Sequence, residues 1–232
     1  MPIANRREEI ETCLNIMNNN SPHRIIFIEG DPGSGRTTLL RELMDRCQDK
    51  DRIECIIIDL DEADQKTDYI YSEILDHLNE RGYIQSKKRP ERLHEIRRFC
   101  FSELQNIERI ILFLIDNYPC IKSEHLNAEF KGSFLASAVS CENIRTVITG
   151  EKQPETSIKS GDWPKFCQPI PLEGIDKHKD WLEYIRQEDY YISKNIGNEQ
   201  AVLETLIIIN DGKPLPIMNS IALLDKRYRT NE

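Results

Sequence analysis

The stretch Gly30-Asp31-Pro32-Gly33-Ser34-Gly35-Arg36-Thr37-Thr38 carries residue types suited to holding phosphate. Gly30 and Gly35 fill the glycine positions of G-x-x-x-x-G-K-[ST], Thr37 fills the hydroxyl position, and Arg36 stands at the lysine position. Glycines let successive backbone N–H groups curl round an anion, and a following helix adds partial positive charge at its N-terminus. A Thr hydroxyl in the first helical turn can ligate Mg²⁺. Arg36 keeps the charge of Lys, but it is longer and planar and not an equivalent ligand. The second candidate is Asp116, which closes the apolar run 110–115. An Asp so placed holds Mg²⁺ beside a phosphate loop, often through water. Asn117 follows, and an amide cannot accept a proton from water, so no general base is visible.

These residues need a strand feeding the loop, a helix leaving it and a second strand delivering Asp116. The pattern supplies all three. Residues 24–28 are an apolar β-type run, and Leu39, Leu40, Leu43 and Met44 follow at helical spacing to about Cys47. Ahead of them, 3–18 read as a helix with Ile10, Leu14 and Met17 on one face, Asn5 as its cap and Glu8 three residues on. The near-continuous run 53–60 reads as a doubly covered parallel strand. Helical spacing returns over 69–81, with Gly82 as a stop, and again over 91–105, after the basic linker 87–90. The strand ending at Asp116 comes next. A helix over 124–140 then turns Leu126, Phe130, Phe134 and Ala138 inward, and 144–149 form a strand. Residues 151–163 read as an exposed loop. Pro169 and Pro171 mark 166–172 as an edge strand. Beyond residue 176 only helices are predicted, over 177–187, 200–209 and 216–228. The fold class is therefore α/β: a P-loop NTPase parallel sheet sandwiched by helices, with a small C-terminal helical lid. The division falls at 1–172 for the nucleotide-binding domain and 173–232 for the lid.

At 232 residues, 39% hydrophobic and 31% charged, the chain has enough apolar surface for a folded core. Its net charge of −9 argues against a general nucleic-acid or anionic-membrane binder. No apolar run is long enough to span a bilayer and the N-terminus lacks an apolar signal core, so a cytoplasmic location is expected. The seven cysteines are widely spaced without a C-x-x-C, which suits buried reduced thiols, and the five histidines offer no structural metal site. Asp59 and Asp61 read as loop solvation.

Taken together, these motifs resemble the STAND class of P-loop NTPases, relatives of AAA+ ATPases that include NB-ARC and NACHT domains. Residues 5–10 are similar to the opening Arg-x-x-Glu-Leu segment, 30–40 to the phosphate loop, 110–116 to the Walker B strand and 145–149 to the sensor strand. Residues 170–172 with Trp181-Leu182 are similar to the start of the lid, and 211–216 to the G-L-P-L motif, whose Pro, here Pro214, packs near adenine. The resemblance implies ATP or ADP with Mg²⁺ held by residues 30–38 and Pro214, metal contacts from Thr37 and Asp116, and a sensor strand between the loop strand and the Walker B strand. It also implies protein partners, nucleotide-dependent oligomers and a setting in prokaryotic defence or signalling. Arg36, Asn117 and Glu151, the last standing where a sensor Arg is expected, depart from the pattern and imply little or no hydrolysis. Three readings stay open: a nucleotide-binding switch, a scaffold with a vestigial pocket, and an active AAA-like ATPase.

Overall fold

The computed structural model describes residues 6–17, 21–48, 50–62, 66–84, 90–118, 124–153, 162–175, 178–187, 190 and 199–229. In chain order the elements are α1 (Arg7–Asn15), β1 (Ile25–Glu29), α2 (Arg36–Gln48), β2 (Ile53–Asp59), α3 (Tyr69–Glu80), α4 (Leu93–Gln105) and β3 (Ile110–Tyr118). They continue with α5 (Glu124–Glu129), a π turn (Phe130–Phe134), α6 (Leu135–Ser140), β4 (Ile144–Gly150), β5 (Cys167–Pro171), α7 (His178–Gln187), α8 (Glu199–Ile209) and α9 (Pro214–Arg229). The five strands form one parallel sheet in the order β2-β3-β4-β1-β5. β4 thus lies between β1, which feeds the loop, and β3, which carries Asp116, the strand order that the resemblance implies.

Alternation along each strand sorts side chains to two faces. Ile26, Ile28, Leu112, Leu114 and Val147 face α1 and α2, where Ile10, Cys13, Leu39 and Leu43 complete an apolar layer. Ile25, Phe27, Phe113, Ile115 and Ile148 face α3 to α6, and Phe130 and Phe134 fill that layer. A fully covered strand must be apolar on both sides, which is why 110–115 is an unbroken run. A third cluster, built on Ile175, Trp181, Ile185, Leu203, Ile217 and Ile221, belongs to the C-terminal helices and the segment that leads into them.

Several local expectations change. α1 starts at Arg7 without a side-chain cap, and the expected cap Asn5 lies outside the described residues, as does the basic stretch 87–89. β2 lies at the sheet edge, with β3 its only strand neighbour among the described residues, and one of its faces is incompletely covered, Ile57 being 43% exposed. A run of isoleucines reads alike in both settings. Trp163 does not close an exposed loop; it is fully buried in the larger apolar layer. The last helix starts two residues early, because Pro214 sits at its first position, where no N–H is needed. Gly82 does end α3: at φ +74° its N–H reaches the Asn79 carbonyl at 3.0 Å.

Candidate functional site

The loop starts where β1 ends. Gly30 N donates to the Gly150 carbonyl at the end of β4 (3.0 Å), and Ser34 N donates back to Asp31 O (3.1 Å). Gly33 and Gly35 take φ of +84° and +93°, a left-handed geometry that costs an L-residue about 1–2 kcal/mol. α2 follows at once, with Leu39 N bonded to Gly35 O at 2.9 Å. Two polar atoms in this cradle, Ser34 Oγ and Arg36 Nη1, are buried without a hydrogen-bond partner among the described residues. A Cβ on Gly30 would come within 2.6 Å of Ser34 Oγ. A loop with glycines at the left-handed positions and polar atoms buried without partners among the described residues fits an anion. Asp31, Pro32 and Thr37 are exposed, and Thr38 is half-buried in the first turn of α2.

Asp116 sits two strands from β1, about 10 Å across the sheet. Its carboxylate is buried and accepts the Thr149 hydroxyl and, at 2.9 Å, the Asn117 N–H. A bulge between Ile115 and Tyr118 reshapes the strand end, and Asn117 takes φ +63°. Its side chain turns away to donate to Asp59 Oδ1 at 2.8 Å, which also accepts Asp61 N–H at 2.9 Å. Asp59 stands opposite Asp116 in register, so it is a fixed partner of this corner and not mere loop solvation.

The lid helix meets the loop directly. Leu215 N donates to Gly33 O at 3.1 Å, and Pro214 Cγ lies 3.9 Å from a Cβ placed on Gly35. Lys213 Nζ approaches Asp31 Oδ2 at 3.8 Å. Between loop and lid opens a cleft of about 490 Å³, edged by Glu29, Asp31, Glu151, Glu173 and Asp211 with Lys213. So acidic a rim disfavours a bare polyanion and favours one carrying a divalent cation.

One residue of this site was legible only as part of a family pattern. Arg6 is 5% exposed, and its guanidinium bonds Glu9 Oε1 (2.9 Å), Ser34 O (3.3 Å) and Glu173 O (2.5 Å). Only that Arg-x-x-Glu spacing to Glu9 separates it in the sequence from the exposed Arg7 beside it.

Family comparison matches residues 19–151 to a family described as AAA domain. The chain belongs to the AAA domain family. No curated protein sequence matches it. Among solved structures, Cdc6p from Pyrobaculum aerophilum is 17% identical with a TM-score of 0.69, covering 100% of this chain and 64% of that one. The Aeropyrum pernix ORC1 protein in complex with DNA is 10% identical with a TM-score of 0.62, covering 100% and 62%. AMPPCP-bound DnaA from Aquifex aeolicus is 17% identical with a TM-score of 0.54, covering 97% and 62%. The chain therefore spans under two thirds of the length of these structures, and at such identity the likeness concerns the fold. The match places the AAA domain in its broad family and does not reach the finer STAND class. It also lends no support to the expectation against nucleic acid, since the ORC1 structure holds DNA.

Proposed function

We propose that this AAA domain is a nucleotide-dependent switch that binds Mg·ATP or Mg·ADP and acts through protein contacts, with little or no hydrolysis by the chain alone. The observation that carries the reading is the cradle, with Gly33 and Gly35 left-handed and Ser34 Oγ and Arg36 Nη1 buried without partners among the described residues. In this reading the chain divides into a nucleotide-binding domain, 1–172, and a lid, 173–232. Residues 30–38 hold the phosphates, Pro214 borders the base, and Thr37 and Asp116 hold Mg²⁺. Bound Mg²⁺ would neutralise phosphate charge, which the acidic rim makes necessary. Asn117 is committed to Asp59 and has no proton-accepting atom of a general base, so turnover by the isolated chain is expected near background. The sequence resemblance to STAND modules supports a signalling or defence role with protein partners and nucleotide-dependent oligomers.

The test is thermal melting with millimolar Mg·ADP and Mg·ATP, together with single-turnover ATP hydrolysis by the wild type and Asp116→Ala. A ligand that binds only the folded state raises Tm by mass action. A rise with both nucleotides and no hydrolysis is the expected result. No rise would leave the scaffold reading. Hydrolysis that Asp116→Ala abolishes would instead establish a complete ATPase site. Gel-shift titration of the same preparation with duplex DNA decides whether DNA joins the list of ligands.

A further inference from the structure

Hydrogen bonds join the loop, the hinge and the lid in a closed ring. Ser34 O accepts from Arg6 Nη2, which also donates to Glu173 O, just after β5. Two residues on, Ile175 N donates to Gly212 O at 2.7 Å, in the turn before α9. The chain then enters α9, and Leu215 N returns to Gly33 O, the residue next to Ser34. Two of these four hydrogen bonds join backbone to backbone; the other two come from Nη2 of Arg6, which lies at the N-terminal end of the described residues.

We infer that Arg6 is a positioning residue that couples the phosphate loop to the lid hinge. The proposal rests on the nucleotide reading above and names how that site would communicate. A guanidinium presents five donors in a planar fork, so one group can hold two carbonyls from different segments and a carboxylate at once. Here Glu9, 19% exposed, anchors the third side of the fork. Because the Arg6 side chain is 95% removed from solvent, its bonds are not exchanged for water when either carbonyl shifts. A displacement of the Ser34 peptide on phosphate binding therefore passes to Glu173, and from there to the Gly212 turn. The parallel surface link, Arg7 to Glu183 at 2.9 Å, cannot do this work: its side chains are 75% and 54% exposed, where ion pairs contribute little.

The experiment is amide hydrogen exchange on the full chain as wild type, Arg6→Ala and Arg6→Lys, each with and without Mg·ADP, beside the Tm of each. In the wild type, Mg·ADP is expected to slow exchange over 30–38 and also over 172–175 and 210–216. Both variants should still show slowing in the loop, while the response of the hinge and the 210–216 turn falls about tenfold or vanishes. Nη2 alone holds both carbonyls while Nη1 is held by Glu9. Lys keeps the charge but has a shorter reach and no second nitrogen to fix its position, so Arg6→Lys weakens the coupling even where it preserves the fold. A hinge response that survives in both variants would overturn the inference. So would acceleration spread evenly over β1, β3 and β4 in step with Tm, the mark of a merely structural residue. If Mg·ADP slows nothing in the wild type, the nucleotide reading fails, and the nucleotide-free comparison judges Arg6 by itself. Joint acceleration of loop and hinge in the variants then supports the coupling, and independent behaviour overturns it.

Discussion

Arg36 shows how a departure from a motif is decided at the scale of one side chain. The residue at this position of a phosphate loop normally brings a compact charge to the phosphates, and Arg brings a broad, planar one. In the structure one terminal nitrogen of Arg36 is buried and makes no hydrogen bond among the described residues. An unpartnered buried donor contributes nothing to the empty fold and is available to a ligand. Arg36→Ala should therefore leave the melting temperature of the nucleotide-free protein unchanged or slightly raised. It should weaken Mg·ADP by roughly tenfold to a hundredfold, the range of a hydrogen bond to a charged group. Calorimetric titration with paired melts checks both halves. A large drop in nucleotide-free stability would show that Arg36 is a structural residue whose terminal nitrogen is not reserved for a ligand. Asn117 teaches the opposite lesson: its side-chain amide donates to Asp59 across the strand ends, a bond that ties β3 to β2.

At the scale of elements, the site depends on how three strand ends are locked together. Gly150 ends β4, accepts from Gly30 N at the start of the loop, and lies against the bulged end of β3. A Cβ on Gly150 would stand 2.0 Å from the Tyr118 carbonyl oxygen and 2.9 Å from the Phe27 ring. The first obstacle is backbone within a paired strand and cannot swing aside. Gly150→Ala should therefore cost about 2 kcal/mol or more through forced backbone shifts, a larger loss than the usual Gly-to-Ala change in a strand. Chemical denaturation measures it, and a variant of unchanged midpoint would mean that β3 and β4 can separate at no cost. The neighbouring Asp116–Thr149 hydrogen bond should loosen as well, since both residues sit beside this contact.

For the whole molecule, the edge strand β2 is the exposed flank, and a buried carboxylate pins it. Glu54 is 5% exposed and takes hydrogen bonds from Tyr83 (2.8 Å) and His77 (2.8 Å), with Arg81 Nε at 3.2 Å and Arg109 Nη1 at 3.5 Å. These groups gather the end of α3, the turn after it and the start of β3 around one side chain. Burial alone would raise the carboxyl's pKa. The hydrogen bonds from His77 and Tyr83 and the charges of Arg81 and His77 outweigh it and hold the pKa below the ordinary value. A depressed carboxyl pKa contributes stability that is fully present above the unfolded value, about 4.3, and is lost as pH falls through the folded one. Glu54→Gln should thus lower Tm at neutral pH and flatten its fall below about pH 4.3. Melting across pH 3–7 tests this, and a variant that keeps the wild-type acid slope would show that other carboxylates set it.

What the chain determined by itself was local. The loop motif, the apolar runs, the helical spacings and the shift to helices after residue 176 are short-range patterns, and they suffice for the parallel sheet, its covering helices and the C-terminal helical cluster. Residue identity also gave the left-handed glycines of the loop, because a phosphate cradle needs them there whatever surrounds it. Tertiary structure decided the rest. An isoleucine-rich strand is apolar whether it lies at the edge or the centre, so only the sheet order made β2 an edge. Asp59 and Asn117 are 58 residues apart, and Arg6 and Glu173 are 167 apart. Such pairings arise from which segments the fold brings together, a many-body outcome that no spacing along the chain encodes. For the same reason Arg6 and Arg7, alike as letters, part company: one is enclosed by loop, hinge and helix, and the other faces water.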